Sequence, residues 1–119
     1  MDKAITPHDA ERKLIQLSKE VDTAHFDLTR DELDYYTKKA KFEISVARQR
    51  LEMGQLKDRK LTVSDKADTA LVSNADLYLE LSIAEAKVRG SRANANRIRT
   101  QVDIARSVGT SVRASLDIQ

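Results

Sequence analysis

Residues 63–116 read VSDKADTALVSNADLYLELSIAEAKVRGSRANANRIRTQVDIARSVGTSVRASL, and their spacing decides the fold. Stepping alternately four and three residues from Val63 visits Ala67, Ala70, Asn74, Leu77, Leu81, Ala84, Val88, Ser91, Ala95, Ile98, Val102, Ala105, Gly109, Val112 and Leu116. Thirteen of these sixteen positions are Ala, Val, Ile or Leu; the others are Asn74, Ser91 and Gly109. A 3.5-residue period held this long predicts one long helix, residues 63–117, packed on other helices as a coiled coil. Leu81, Val88, Ile98, Val102, Val112 and Leu116 are its main seam residues. The small residues between them let a partner backbone come close. A lone helix of this length cannot bury its own stripe, so it requires partners from the same chain or other copies.

Outward from this seam, the first half supplies such a partner. Thr6-Pro7-His8-Asp9 starts a helix: Thr6 caps the orphan amides, Pro7 suits the first helical position, and Asp9 suits the positive end of the dipole. The first stripe runs Leu14, Leu17, Val21, Ala24, Leu28. The apolar pattern then slips to Leu33, Thr37, Ala40, Ile44, Ala47, Leu51. At the slip, Thr29-Arg30-Asp31-Glu32 has the form of a capping box, so a break near residue 29 is the alternative to a continuous helix. Gly54 is expected to end this helix at about residue 53, and residues 55–60 read as a polar turn. The expected fold is all-α: one domain, residues 1–119, forming a long antiparallel helical hairpin (about 7–53 and 63–117) that assembles into a helical oligomer.

Composition agrees. Of 119 residues only three are Gly and one Pro; hydrophobic residues make up 40% and aromatics 4%, enough to fill a narrow seam but not a wide core. With no cysteine there is no disulfide framework and no thiolate metal site. The N-terminus lacks a basic stretch followed by an apolar core, and no apolar run approaches a membrane span, so a cytoplasmic protein without membrane contact is expected.

Charge falls into four blocks. Residues 1–37 carry five basic and nine acidic residues, 38–60 eight and three, 61–85 one and five, and 86–119 seven and two, giving −4, +5, −4 and +5. Folding the chain near residue 58 sets each acidic block beside a basic one, which orients the hairpin and disfavours wrong pairings. Within the last block, Arg92, Arg99, Arg106 and Arg113 recur every seven residues, each one step past a seam position. An acidic stripe, Glu20, Asp27 and Asp34, has the same interval but lies one step before its seam. A simple antiparallel pair brings like flanks together, so the two stripes should not meet within one hairpin.

Arginine binds phosphate bidentately and keeps its charge, so the stripe reads as a phosphate ladder. The second basic region surrounds the turn, with Lys38, Lys39, Lys41, Arg48, Arg50, Lys57, Arg59 and Lys60 close to Tyr35, Tyr36 and Phe42. Aromatics beside cations suit single-stranded nucleic acid, although Tyr36 and Phe42, each taken alone, are better suited to packing near the seam.

No catalytic pattern is visible. His8 and His25 belong to no ligand cluster, no carboxylate dyad stands out, and no glycine-rich phosphate loop, nucleophile elbow or zinc spacing occurs. Neither enzyme activity, a metal, a cofactor nor a small-molecule substrate is expected.

At Ala47-Arg48-Gln49-Arg50-Leu51-Glu52-Met53-Gly54 the chain resembles the UvsY-type recombination mediators of phages, in which an Ala-Arg-x-x-Leu-like helix end runs into a glycine turn. The tyrosine pair here lies at 35–36, well before the turn, whereas the family pattern has it just ahead of the glycine. The resemblance implies a ring-like oligomer that binds single-stranded DNA and helps load a recombinase, with Arg48 and Arg50 as DNA-contacting positions. Two functions therefore compete. One is a self-associating nucleic-acid-binding accessory of recombination or replication. The other is a structural or adaptor coiled coil (scaffold, virion component or partner-binding inhibitor) whose charge blocks serve assembly alone.

Overall fold

A computed structural model describes residues 5–55 and 63–118. They form three helices: α1, Pro7–Gln55; α2, Val63–Ser73; and α3, Ala75–Asp117. No strand occurs among the described residues. The fold is all-α. The expected turn, with Lys57, Arg59 and Lys60, lies outside the described residues.

α1 begins where its caps direct. The Thr6 hydroxyl accepts the Asp9 amide at 3.1 Å, and the Thr6 amide donates back to Oδ2 of Asp9 at 3.2 Å. This reciprocal box satisfies two groups at the helix entrance. The two hydrogen bonds from Thr6, backbone first, hold the Asp9 carboxyl below its ordinary pKa. α1 then runs unbroken through the Thr29–Glu32 box, so the alternative of a break there does not occur. It also passes through Gly54 to Gln55, two residues beyond the expected end.

The contacts divide the chain into two compact units: residues 1–29 with 90–119, and residues 30–89. In the first, α1 packs antiparallel on α3. Ala24 shares a groove with Asn94 and Ile98. A Cβ built on Gly109 would sit 3.7 Å from the Ala10 methyl. Leu17 is fully buried, and Ala24, Ile98 and Gly109 are buried with it. Each complete burial of a leucine-sized side chain contributes on the order of 1.5–3 kcal/mol.

In the second unit, α1 packs antiparallel on α2 and the start of α3. Phe42 meets Tyr78 with ring centroids 5.6 Å apart. Asn74, only 7% exposed, lies at a seam position between α2 and α3. Its Nδ2 donates to Oε1 of Gln49 at 2.8 Å and to the Ala70 carbonyl at 2.6 Å, while its Oδ1 accepts from the Ser45 hydroxyl. All its polar capacity facing the seam is thereby used, and no buried side-chain polar atom among the described residues is left unpartnered.

Two expectations change here. First, the helix expected over 63–117 is interrupted at Asn74. The Asn74 amide is shared between the carbonyls of Ala70 and Leu71, at 3.1 and 3.2 Å, and its side chain takes a further share of the Ala70 carbonyl. An asparagine that competes for the backbone in this way weakens a helix locally. Tyr78 still donates to the Asn74 carbonyl at 2.9 Å, so the chain re-enters the helix at once.

Second, the seam of α1 does not slip. It continues from Leu28 in the same four-three rhythm through Asp31, Tyr35, Lys38, Phe42, Ser45 and Gln49, all half-buried. The apolar row expected to take over faces outward, with Leu33 70% and Leu51 69% exposed and Ile44 also exposed. The reason is on the facing helices. Asn74 requires polar partners, which Ser45 and Gln49 supply, and Tyr78 takes Phe42. On α2 and α3 the expected seam holds: Ala70, Ala84, Val88 and Ile98 are buried and Leu77, Leu81, Val102 and Val112 half-buried. Leu116, near the end of α3, is half exposed.

Candidate nucleic-acid interface

The arginines divide between the two units. Arg92, Arg99, Arg106 and Arg113 belong to the first, on α3, and all are exposed. Seven residues of helix rise about 10 Å, so they form one row along α3. Arg99 and Arg106 line a groove of about 640 Å³ between α1 and α3, together with Asp22, His25 and Asp103. Arg113 turns back, its Nε donating to the Gly109 carbonyl at 3.3 Å. Arg92 has interactions of its own.

Of the acidic row, Asp27 has interactions of its own. Glu20 lines a different groove, of about 400 Å³, with Arg97 and Asn94. Arg97 donates to Oδ1 of Asn94 at 2.9 Å. Glu20 thus shares a groove with Arg97, and Arg99 and Arg106 share theirs with Asp22 and His25.

Arg48 and Arg50 stand exposed on the last turns of α1, in the second unit. Neither makes an ion pair among the described residues. Each is one step from an outward apolar position, Arg48 beside Ala47 and Arg50 beside Leu51. The nearby aromatics are unequal. Phe42 is committed to Tyr78, and Tyr35 is half-buried with its ring 5.2 Å from that of Tyr36. Tyr36 is the exposed ring of this group.

Among the described residues no cluster of His, Cys, Asp or Glu is suited to a metal ion. No helix there is long and apolar enough to cross a membrane. The charged pairs include Lys38 with Asp34 at 3.1 Å, both half-buried, and Arg89 with Glu85, both pairs one helical turn apart. Such pairs contribute little, on the order of 0–1 kcal/mol.

Comparison with protein-family models, with curated proteins and with solved structures gives no match.

Two features of this surface went unread in the sequence. The outward apolar row was legible as a four-three stripe but was assigned to the hairpin seam. The polar trio of Ser45, Gln49 and Asn74 had one visible sign, an asparagine in a mostly apolar seam.

Proposed function

We propose that the chain is a non-enzymatic, self-associating helical protein that binds nucleic acid, single-stranded DNA above all, through exposed arginines on two helices. The observation that carries this reading is the exposure of Arg48 and Arg50, two guanidinium groups within three residues that have no anionic partner among the described residues. A bare guanidinium fork is the group best suited to a phosphate. The row from Arg92 to Arg113 offers additional backbone contacts at about 10 Å intervals. Exposed Tyr36 adds a face on which a base can stack. The resemblance of residues 47–54 to the UvsY-type mediators supports the same role, as an accessory of recombination or replication.

The test is fluorescence anisotropy of labelled single-stranded and duplex DNA, titrated from low salt to 0.15 M. Counterion release requires affinity to fall with salt in proportion to the phosphates neutralised. Micromolar or tighter binding to single strands that persists at 0.15 M supports the reading. No binding at that salt overturns it.

The second reading, a structural or adaptor coiled coil, is favoured by the outward apolar row of α1. Under it the same titration gives no binding while the protein still assembles.

A further inference from the structure

Both helices of the second unit carry an apolar row on the side away from their shared seam. On α1 the row is Leu33, Thr37, Ala40, Ile44, Ala47 and Leu51; on α2 and α3 it is Val72, Asp76, Leu79, Ile83 and Ala86. Every one of these residues is exposed, Val72 to 75%. Each row keeps the four-three rhythm and lies two residues on from the inner seam. Two residues correspond to about 200° of helical rotation. The unit therefore has two apolar faces pointing in nearly opposite directions.

We propose that the occupant of each face is a second copy of this chain, and that the outer row of α1 packs antiparallel on the outer row of α2–α3 of its neighbour. The proposal rests on the self-association in the reading above and names its interface. Charge complementarity supports this pairing. Residues 38–60 are net +5 and residues 61–85 net −4. In the register that seats Ile44 against Leu79, Ala40 meets Ile83 and Leu51 meets Val72, so that apolar residues face one another in three layers. Asp76, the polar member of its row, meets Ala47. The flanking positions then bring Lys41 to Glu80 and Asp34 to Lys87, opposite charges in both cases. Lys41 and Glu80 are exposed and make no ion pair among the described residues, so both are available.

Three competing arrangements bring like charges together. A two-fold pairing of α1 with α1 in the register that seats Ala40 against Ile44 places Lys41 against Lys41 and Glu43 against Glu43. A two-fold pairing of the α2–α3 rows in the register that seats Leu79 against Ile83 places Glu80 against Glu80. Sliding the mixed pair by one heptad sets Asp34 against Glu80. Like charges at such positions are destabilising. Because the two faces differ, the contact is heterologous: each added copy leaves one row free, and growth passes beyond a dimer until the array closes. Arg48 and Arg50 then stand beside the uncharged Ser73 and Ala75 of the neighbour. Assembly repeats these two arginines without neutralising them.

The chain has no cysteine, which makes the test direct. Ile44→Cys and Leu79→Cys are made as separate variants, mixed, and oxidised at a concentration where sedimentation shows the wild type assembled. The expected result is a disulfide joining one variant to the other, in at least tenfold excess over either self-linked product. Self-linked Ile44→Cys, or no mixed product from an assembled sample, overturns this interface and leaves self-association standing. A wild type that stays monomeric at every concentration in sedimentation overturns both.

Discussion

Asn74 donates to Gln49 across the helix pair at 2.8 Å, from a seam in which thirteen of sixteen positions are Ala, Val, Ile or Leu. The consequence is directional. A seam rich in alanine has few interlocking side chains, so several alignments of α1 on α2 bury comparable apolar area. Only the observed one gives the Asn74 amide both Gln49 and Ser45. A single buried asparagine is a known device for selecting one register at some cost in stability.

Asn74→Leu should therefore raise the thermal midpoint while widening the range of pairings. Sedimentation velocity is expected to show several species where the wild type shows one distribution. A lower midpoint with an unchanged distribution would mean that the trio contributes net stability and has no role in register.

Leu17 and Leu33 form a matched pair of probes. Leu17 is fully buried and Leu33 is 70% exposed. Leu17→Ala should lose roughly 2–4 kcal/mol at any protein concentration. Leu33→Ala should change the stability of the dilute chain by less than about 0.5 kcal/mol, but lower the midpoint measurably once the chain is concentrated enough to assemble. Denaturation at two concentrations separates the two effects.

Gly90 and Gly109 lie inside α3, and neither requires the freedom of glycine. A Cβ at Gly90 meets nothing within 4 Å, and one at Gly109 meets Ala10 at an ordinary 3.7 Å. Alanine at either site should stabilise by roughly 0.5–1 kcal/mol through helix propensity and a less flexible unfolded chain. Urea melts at equal slope would register the gain, and destabilisation at Gly109 would show that the helices approach more closely there.

Asp9 gives the start of α1 a defined response to acid. Its carboxyl is held below the ordinary aspartate value by the Thr6 amide first and the Thr6 hydroxyl second. A depressed native value means the contribution is fully present above the unfolded pKa and is lost as pH falls through the folded one. An NMR titration of the Asp9 carboxyl should give a midpoint below that of an unstructured peptide. In Thr6→Ala it should move part of the way back, since the backbone donor remains.

The double substitution of Arg48 and Arg50 by alanine should weaken single-stranded DNA binding and lower the salt slope by about 1.4, at about 0.7 per phosphate contact. Helix content and sedimentation should not change. Loss of assembly in this variant would reassign both side chains to the interface between copies.

Much of this architecture could be read from spacing alone, because period is what distinguishes a seam from a surface. From Ala67 to Val112, the positions of α2 and α3 expected to be covered are covered. The start of α1 was equally plain, since Thr6, Pro7 and Asp9 each satisfy a separate requirement of a helix entrance. α1 beyond Leu28 was misread because hydrophobicity marks which face wants cover without saying what will cover it. Leu33, Ile44 and Leu51 form as regular a stripe as Leu14, Leu17 and Leu28, and the decisive information lay on other helices, in Asn74 and Tyr78. The arginine positions followed from the seam by counting. Their partners did not, because a long flexible side chain near a groove selects among neighbours by local geometry.

The shared amide at Asn74 also decides how the molecule comes apart. α2 has eleven residues, fewer than the ~12–15 an isolated helix needs to persist in water. α3, with forty-three residues, is not limited in this way. The backbone joint between them is already weakened where Asn74 contests the Ala70 carbonyl. When α1 releases its grip on Asn74, α2 loses its support and melts up to that joint, and α3 remains helical beyond it. The asparagine thus serves as a fuse, limiting the first stage of unfolding to one end of the pair.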